Sequence, residues 1–261
     1  MNNLINLDLA RQVVEIARLA SVEILKIYHS QALNTQQKSD DSPVTAADLA
    51  ANEVINKGLN NLSVKLPVVS EENAVIPYAE RSKFDYYWLV DPLDGTKEFI
   101  KGNGEFTVNI ALIHRKKAVL GVVFVPITEG GYFAVKGLGS YKLVNNSETK
   151  ISCSRFKLTD KGLRIPISRS HTNVESEKFF SNLDTPVLTP KGSALKLVML
   201  AEGLFDYYPR IGLTSEWDTA AAHIIIEEAG GTMLQLNSRK PLVYNKKNLL
   251  NPHFIAAGVI L

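Results

Sequence analysis

The sequence is poor in cysteine, in long apolar runs and in net charge, and each shortage excludes a class of protein. Cys153 is the single cysteine in 261 residues, so a scaffold of intramolecular disulfides is excluded. The longest apolar run, Ala118 to Val125, falls far short of the ~20 residues that a membrane-spanning helix needs. The segment Met1 to Arg11 has no basic stretch followed by an apolar one, which predicts no secretory signal. A reducing, cytoplasmic location is therefore expected.

Charges of the two signs nearly cancel, since 29 Lys and Arg face 27 Asp and Glu, for a net charge of +2. Such a weak overall field does not favour nucleic acid or an anionic membrane as a partner. The basic cluster Arg115-Lys116-Lys117 falls in a predicted hairpin turn and forms no stripe, which disfavours a nucleic-acid binder. A phosphate ester would have to be attracted by local groups.

The first half of the chain has the pattern of two helices followed by an antiparallel sheet. Leu7 to Leu33 repeats apolar residues at helical spacing, and Thr45 is predicted to open a second helix. Strands are predicted at residues 67–70, 86–90, 106–113, 118–125, 132–135 and 140–143.

The second half alternates between strands and helices. Strands are predicted at residues 163–168, 186–188, 204–208, 232–236 and 254–259, and helices at 174–183, 193–202 and 217–229. The order of elements indicates a layered α+β architecture. We expect one domain over residues 1–261, with an N-terminal α+β lobe over about 1–150 and a C-terminal α/β lobe over about 151–261.

The most informative segment is the acidic run Asp91-Pro92-Leu93-Asp94-Gly95-Thr96. Its proline and glycine disfavour a helix through the middle, so we predict that Asp91 ends a strand and that a short helix starts at Thr96 after a sharp turn. The two carboxylates and the Leu93 carbonyl are oxygen ligands of the kind that Mg²⁺ prefers. The N–H groups of Gly95 and Thr96 form an anion site at the start of the helix.

Two further acidic residues are predicted near this turn. Glu71 follows the short strand 67–70, so it is expected beside Asp91 where neighbouring strands end. Asp218 lies in the first turn of the helix 217–229 among apolar residues, where a buried carboxylate needs a partner.

These segments together resemble the inositol monophosphatase superfamily. The resemblance covers about residues 43–231 and lies in the segments Asp91–Thr96, Trp217–Ala221, Glu71-Glu72 and Pro43–Asp48. Within the superfamily, other segments resemble the bacterial 3′(2′),5′-bisphosphate nucleotidases: Lys97–Lys101, Asn103–Asn109, Ser168–His171, Gly192–Lys196 and Tyr208–Arg210. Ala194 and the run Leu213–Glu216 depart from the usual pattern of that branch.

The resemblance implies a layered α/β/α/β/α sugar-phosphatase fold and a Mg²⁺-dependent, Li⁺-sensitive phosphatase. It implies hydrolysis of adenosine 3′,5′-bisphosphate to AMP and phosphate, in sulfate assimilation. Some members of the branch lie at the inner face of the bacterial inner membrane, so peripheral membrane contact is left open. The oligomeric state is also left open between a monomer and a homodimer.

The metal site is expected to hold two or three Mg²⁺ ions. Glu71, Asp91 and the Leu93 carbonyl are predicted to bind one ion, and Asp91, Asp94 and Asp218 a second. Pairs of metal ions in such sites stabilise both the entering and the leaving oxygen of an in-line displacement.

Catalysis is assigned to Asp48, Thr96 and Glu71. Thr96, hydrogen-bonded to Asp48, is expected to orient the attacking water and to take part in removing its proton. The amides of Gly95 and Thr96 are expected to bind the phosphate, and Asp218 to contact the substrate as well.

The nucleotide is expected to meet a second group of residues. Ser193 and Lys196 are placed near the base or ribose, and Arg210 near the 5′-phosphate or base. His171 is expected to stack on the nucleotide or to hydrogen-bond to it.

Two other functions share these motifs. An inositol or sugar phosphatase would have the same metal ligands, and a catalytically silent sensor of phosphonucleotides would bind without releasing phosphate. A side-by-side assay of the bisphosphate and inositol 1-phosphate separates the two enzymes, and phosphate release in Mg²⁺ buffer separates both from the sensor.

Overall fold

The structure is a computed structural model that describes residues 5–30, 35–37, 43–169 and 179–261. Helix α1 spans Leu7–His29, and Asn6 caps it by accepting a hydrogen bond from Leu9 N at 2.9 Å. The helix was predicted to reach Leu33 but ends at His29, because Ser30 caps it and its hydroxyl donates to Ile27 O at 2.8 Å.

A two-stranded antiparallel ribbon, β1 Thr35–Gln37 and β2 Pro43–Thr45, lies between α1 and helix α2, which spans Ala46–Asn61. The second helix therefore starts one residue after the predicted Thr45. Both helices carry a buried apolar stripe, which includes Val13, Ile24 and Ile55.

The largest sheet in the described residues has seven strands in chain order. They are β3 Val68–Ser70, β4 Tyr86–Asp94, β5 Thr107–His114, β6 Lys117–Val125, β7 Gly130–Val135, β8 Gly139–Val144 and β9 Ser147–Lys150. Strands β3 and β4 are parallel, and every other neighbouring pair is antiparallel. Two short helices, α3 Tyr78–Arg81 and α4 Thr96–Ile100, flank β4. Strand β9 was not predicted, because its four residues are polar and exposed and so give no apolar signal.

Both faces of this sheet are covered, which explains the nearly continuous apolar sequence of its central strands. Tyr86, Trp88 and Val90 of β4 face the core formed with α1 and α2. Tyr87 and Leu89 face the opposite core. Because side chains alternate along a strand, Asp91 belongs to the second face.

The second half forms three smaller sheets. Strand β10 (Arg155–Phe156) pairs with β16 (Val259–Ile260), β11 (Arg164–Ser168) pairs with β12 (Val187–Lys191), and β13 (Tyr207–Arg210), β15 (Phe254–Ala257) and β14 (Thr232–Gln235) form a sheet in that order. The helices here are α5 (Leu195–Ala201) and α6 (Glu216–Glu228).

Several predicted bounds in this half were wrong. The strand predicted at 204–208 lies at Tyr207–Arg210, because a turn follows α5, and β12 continues beyond 188 to Lys191. The predicted strand 254–259 is divided at Gly258, where a Cβ atom would lie 2.5 Å from Ser154 O. Helix α5 is shorter than the predicted 193–202, and the first five residues of the predicted helix 174–183 fall outside the described residues.

The described elements are stacked in layers. Helices α1 and α2 cover one face of the seven-stranded sheet, and α5 and α6 cover the other. The sheet β13–β15–β14 packs on the far side of α5 and α6, through Tyr208, Phe254 and Met233. The layered α/β architecture is thus confirmed. None of the helices that the structure describes is both long enough and apolar enough to cross a membrane.

Gly121 of β6 lets helix α6 lie directly against the sheet. A Cβ atom at this position would lie 2.3 Å from Ala221 O and 2.6 Å from Ile224 Cγ2. The backbone of α6 therefore occupies the space that a side chain at position 121 would fill, and this contact sets the distance between α6 and the sheet.

We predict that Gly121→Ala destabilises the protein, because the helix and the sheet must separate to admit the methyl group. Overpacking of this kind costs about 1–3 kcal/mol, which urea unfolding will measure. Gly212→Ala is the control, since its Cβ would be 3.6 Å from the nearest Arg210 atom, an ordinary contact. Equal stability of Gly121→Ala and wild type would contradict this account of the packing.

Candidate active site

Two acidic residues lie where the parallel strands β3 and β4 run side by side. Ser70 pairs with Val90, and Glu71 N donates to Val90 O at 3.2 Å. Glu71 therefore lies beside Asp91, as the sequence predicted. The Asp91 side chain is buried, with 2% of its surface exposed.

Strand β4 does not end at Asp91, so the predicted sharp turn directly after it was wrong. Asp91 pairs with Asn109 and Asp94 pairs with Thr107, with a shift of register between the two pairs. The shift is a bulge that absorbs Pro92 and Leu93, and Leu93 N donates to Asp91 Oδ1 at 3.2 Å. Asp91 and Asp94 are thereby held on one strand.

Gly95 connects this strand to helix α4, which begins at Thr96 as predicted. The φ of Gly95 is +95°, which favours glycine. A Cβ atom there would also lie 3.1 Å from Glu105 O and 3.2 Å from Ser193 Cβ. The phosphate-binding turn predicted at Gly95 and Thr96 is therefore enclosed by two other segments of the chain.

Asp218 reaches the site from the first turn of α6. Its Oδ2 accepts a hydrogen bond from Ser215 N at 2.9 Å, so the carboxylate caps its own helix. This contact fixes Asp218 and leaves its second oxygen for another partner.

These carboxylates repel one another. Burial and then the charge of Glu71 raise the pKa of Asp91 above its usual range, and Asp94, Asp218 and Asp48 act in the same direction. The pKa of Asp218 is raised to about 8, by burial first and then by Asp94. The five carboxylates predicted as metal ligands or catalytic groups therefore share one electrostatic environment, which calls for positive charge.

Asp48 and Thr96 lie on different elements. Asp48 is in the first turn of α2 and is 1% exposed, whereas Thr96 is the first residue of α4. The hydrogen bond expected between them stays a prediction.

The donor set fits a hard divalent cation, because it consists of oxygens alone and carries excess negative charge. One oxygen each of Asp91, Asp94 and Asp218 accepts hydrogen bonds from the protein, and the other is left for a cation. Within the described residues, no three His, Cys, Asp or Glu side chains form a closed metal cage.

A cavity of about 250 Å³ opens beside the carboxylates. Predicted residues that line it are Asp94, Gly95, Thr96, Ser193, Lys196, Arg210 and Asp218. The apolar part of its wall comes from Leu197, Tyr208, Leu213 and Phe254. His171 lies outside the described residues.

The cations of the cavity differ in how they are held. Lys196 is 8% exposed and donates through Nζ to Ser193 O at 2.7 Å and Lys191 O at 3.2 Å. Burial lowers its pKa to about 8, so the group is still largely charged at neutral pH. Arg210 donates to Leu213 O at 3.3 Å, and its Nε has no hydrogen-bond partner among the described residues. Arg210 is half-buried whereas Lys196 is buried, so Arg210 is the more accessible of the two cations.

A model of the inositol monophosphatase family matches residues 6–260. The chain belongs to the inositol monophosphatase family. The family predicted from the motifs is thereby confirmed.

Relatives within the inositol monophosphatase family include proteins named 3′(2′),5′-bisphosphate nucleotidase CysQ. The one from Salmonella typhimurium is 43% identical over 248 residues, which cover 93% of this chain and 97% of the relative. The one from Escherichia coli is 42% identical over 249 residues, with the same coverage. The crystal structure of CysQ from Bacteroides thetaiotaomicron superimposes with a TM-score of 0.84 at 38% identity, and covers 97% of this chain and 99% of that one.

Glu105 is a site-adjacent residue to which the sequence analysis gave no role. Its carboxylate accepts hydrogen bonds from Arg169 Nε and Nη2 at 3.0 and 2.9 Å, from Lys191 Nζ at 3.1 Å and from Gly192 N at 2.8 Å. Although burial opposes ionisation, these donors lower the pKa of Glu105 to about 2. Glu105 therefore fastens the end of β12 to the loop before β5, and only the fold brings its partners together.

We predict that Glu105→Gln lowers the free energy of unfolding at pH 7 by about 1–3 kcal/mol, the usual range for hydrogen bonds to a charged group. A carboxylate with a depressed pKa stabilises the fold above its unfolded value of ~4.3 and loses that effect as the pH falls toward 2. The difference between wild type and variant should therefore shrink between pH 5 and pH 3 in urea unfolding.

Glu148→Gln is the matched control, because Glu148 also forms a bidentate pair, with Arg11, but at an exposed position. Exposed ion pairs contribute below about 1 kcal/mol. An equal loss in both variants would show that Glu105 is only another surface pair.

Proposed function

We propose that this protein hydrolyses the 3′-phosphate of adenosine 3′,5′-bisphosphate, giving AMP and phosphate. The observation that carries the proposal is a cavity lined both by carboxylates and by the cations Lys196 and Arg210, on a chain 43% identical to a named bisphosphate nucleotidase. Sensitivity to Li⁺ and a place in sulfate assimilation belong to the same proposal.

The enzyme uses a divalent metal, and we propose Mg²⁺ as two or three ions. Glu71, Asp91 and the Leu93 carbonyl would hold one ion, and Asp91, Asp94 and Asp218 a second. When bound, Mg²⁺ supplies positive charge that stabilises the entering and leaving oxygens and makes water more acidic.

The protein groups bind the phosphate and move the proton. The N–H groups of Gly95 and Thr96 would donate to phosphate oxygens, because the first amides of a helix have no partner within it. Thr96 and Asp48 take the proton of the attacking water. As water attacks phosphorus, the bond from phosphorus to the 3′-oxygen breaks, and a proton from solvent water restores the 3′-hydroxyl of AMP.

The other side of the cavity suits the rest of the nucleotide. Arg210 offers a planar fork suited to the 5′-phosphate, lines the cavity and is more exposed than Lys196. Lys196 is buried in the cavity wall and adds positive charge there, and the apolar side chains of Leu213 and Phe254 offer a surface on which the adenine base could pack. Inositol phosphate lacks both a base and a second phosphate, so it would leave these groups without partners.

We predict opposite effects of Asp91→Asn on stability and on activity. Removing a buried charge among acidic neighbours should raise the Tm of the metal-free protein. The rate of phosphate release should fall below about 1% of wild type. Mutation of residues that only hydrogen-bond to metal ligands already lowers metal affinity or activity by about 10–100-fold, and loss of a ligand itself should have a larger effect. Thermal unfolding with and without Mg²⁺ and a phosphate-release assay measure both.

Asp85→Asn is the control for this change, since Asp85 is exposed and pairs with Arg115 at 3.1 Å far from the site. Wild-type turnover in a folded Asp91→Asn protein would reject the proposed metal site.

We also predict that wild-type protein prefers adenosine 3′,5′-bisphosphate to inositol 1-phosphate by kcat/KM. Arg210→Ala should reduce kcat/KM for the bisphosphate by about 10–100-fold, as expected for a charged hydrogen bond to phosphate. The value for inositol 1-phosphate should change little, because that ester has no group to reach Arg210. Arg115→Ala, at an exposed hairpin turn, is the matched control. A higher kcat/KM for inositol 1-phosphate would contradict the nucleotide assignment.

A further inference from the structure

Strand β5 carries two buried polar side chains for which the proposed mechanism has no use. Thr107 is 0% exposed and Asn109 is 1% exposed. They alternate with Val108 and Ile110, which face the core under α1 and α2. Thr107 and Asn109 therefore lie on the opposite face, which they share with Asp91.

The two side chains belong to a ring of close polar contacts with Asp94 and Ser193. Thr107 Oγ1 lies 2.9 Å from Asn109 Oδ1 and 2.6 Å from Ser193 Oγ. Ser193 Oγ donates to Asp94 Oδ2 at 2.7 Å, and Asn109 Nδ2 donates to the same oxygen at 3.3 Å. Because Ser193 gives its own proton to Asp94, the single hydroxyl proton of Thr107 goes either to Ser193 Oγ or to Asn109 Oδ1, and Thr107 lies in contact with both donors of Asp94.

Asp94 is consequently fixed through one oxygen. Its Oδ2 also accepts a hydrogen bond from Ala194 N at 2.7 Å, which makes three donors in all with Ser193 and Asn109. Ser193 itself has a φ of +52°, an uncommon conformation for a residue with a side chain. The ring thus holds a strained residue and a carboxylate in one arrangement, and leaves Oδ1 of Asp94 for a cation.

We propose that Thr107 and Asn109 are positioning residues that hold Asp94 ready for a divalent cation, Thr107 through Ser193 and Asn109 directly. The inference deepens the proposed function, because it rests on Asp94 being a metal ligand. Groups behind a metal ligand fix its orientation and commonly change metal affinity by ~10–100-fold. Ser193, predicted to contact the nucleotide, here acts on the metal side of the cavity.

A merely structural role for Thr107 predicts a different result. Ser140 shows that a hydroxyl can be buried in the same sheet with no hydrogen-bond partner among the described residues. Burial of a polar strand residue therefore does not by itself require such a ring. Ser140→Ala provides the control for loss of a buried hydroxyl far from Asp94.

The test measures Mg²⁺ binding without any substrate, from the rise in Tm as MgCl₂ is titrated into the full-length protein. Thr107→Val, which keeps the shape but removes the hydroxyl, should move the Mg²⁺ midpoint upward by ~10-fold. Thr107→Ser, which keeps the hydroxyl, should restore the midpoint, and Ser140→Ala should leave it unchanged. In phosphate release, Thr107→Val should need more Mg²⁺ for half-maximal rate but approach the wild-type kcat at saturation.

An unchanged midpoint in Thr107→Val, or an equal shift in Ser140→Ala, would overturn the proposal. If Thr107→Val does not fold, Ser193→Ala removes the neighbouring member of the ring from the cavity wall, and the same shift is expected or the proposal fails. The titration contains no nucleotide, so its outcome is independent of whether the bisphosphate is the substrate. A protein with no Mg²⁺-dependent rise in Tm, wild type included, would reject the metal site and the inference together.

Discussion

Repulsion among buried carboxylates is the interaction on which this arrangement depends. Asp91 is almost fully buried, and the charged groups that act on it most strongly are all acidic. A folded chain keeps such a group only where the surrounding structure fixes it and a cation can neutralise it. The repulsion between the carboxylates held by the sheet, by the bulge in β4 and by helix α6 therefore destabilises the fold, and binding of a divalent cation offsets this loss of stability.

The alternation of side chains along a strand determines which face of the sheet carries the buried carboxylates and their polar neighbours. Asp91, Thr107 and Asn109 occupy one face because each lies an even number of residues from its neighbours on that face. Gly121 lies on the same face and lets α6 contact the sheet closely at Ala221. Asp218 precedes Ala221 by three residues on α6, so this close contact also brings Asp218 near the sheet. One glycine thus helps to set the distance between carboxylates that are 127 residues apart in the chain, from Asp91 to Asp218.

The sequence predicted what is local and strongly patterned. Apolar runs and turn residues predict the positions of the acidic segments at strand and helix ends, the start of α4 at Thr96 and the central hairpin. The bulge after Asp91 was missed because it exists only through pairing with β5, and β9 because its residues are polar. Polar residues at alternate positions in an apolar strand were the available signal for Thr107 and Asn109, but their partner Ser193 is 86 residues away from Thr107.

The acidic residues around the cavity are of two kinds, which differ in the charge of their neighbours. Glu105 has Arg169 and Lys191 as neighbours and a pKa of about 2, so its charge is already compensated and its contribution is to the fold. Burial and the acidic neighbours of Asp218 raise its pKa to about 8, although Ser215 N–H and Arg210 act in the opposite direction, so the chain compensates its charge only in part. Because the two kinds draw on different counter-charges, changes at Glu105 and at Asp218 should separate stability from metal dependence. The same separation explains how a fold can hold many carboxylates at one site without depending on the cation for all of them.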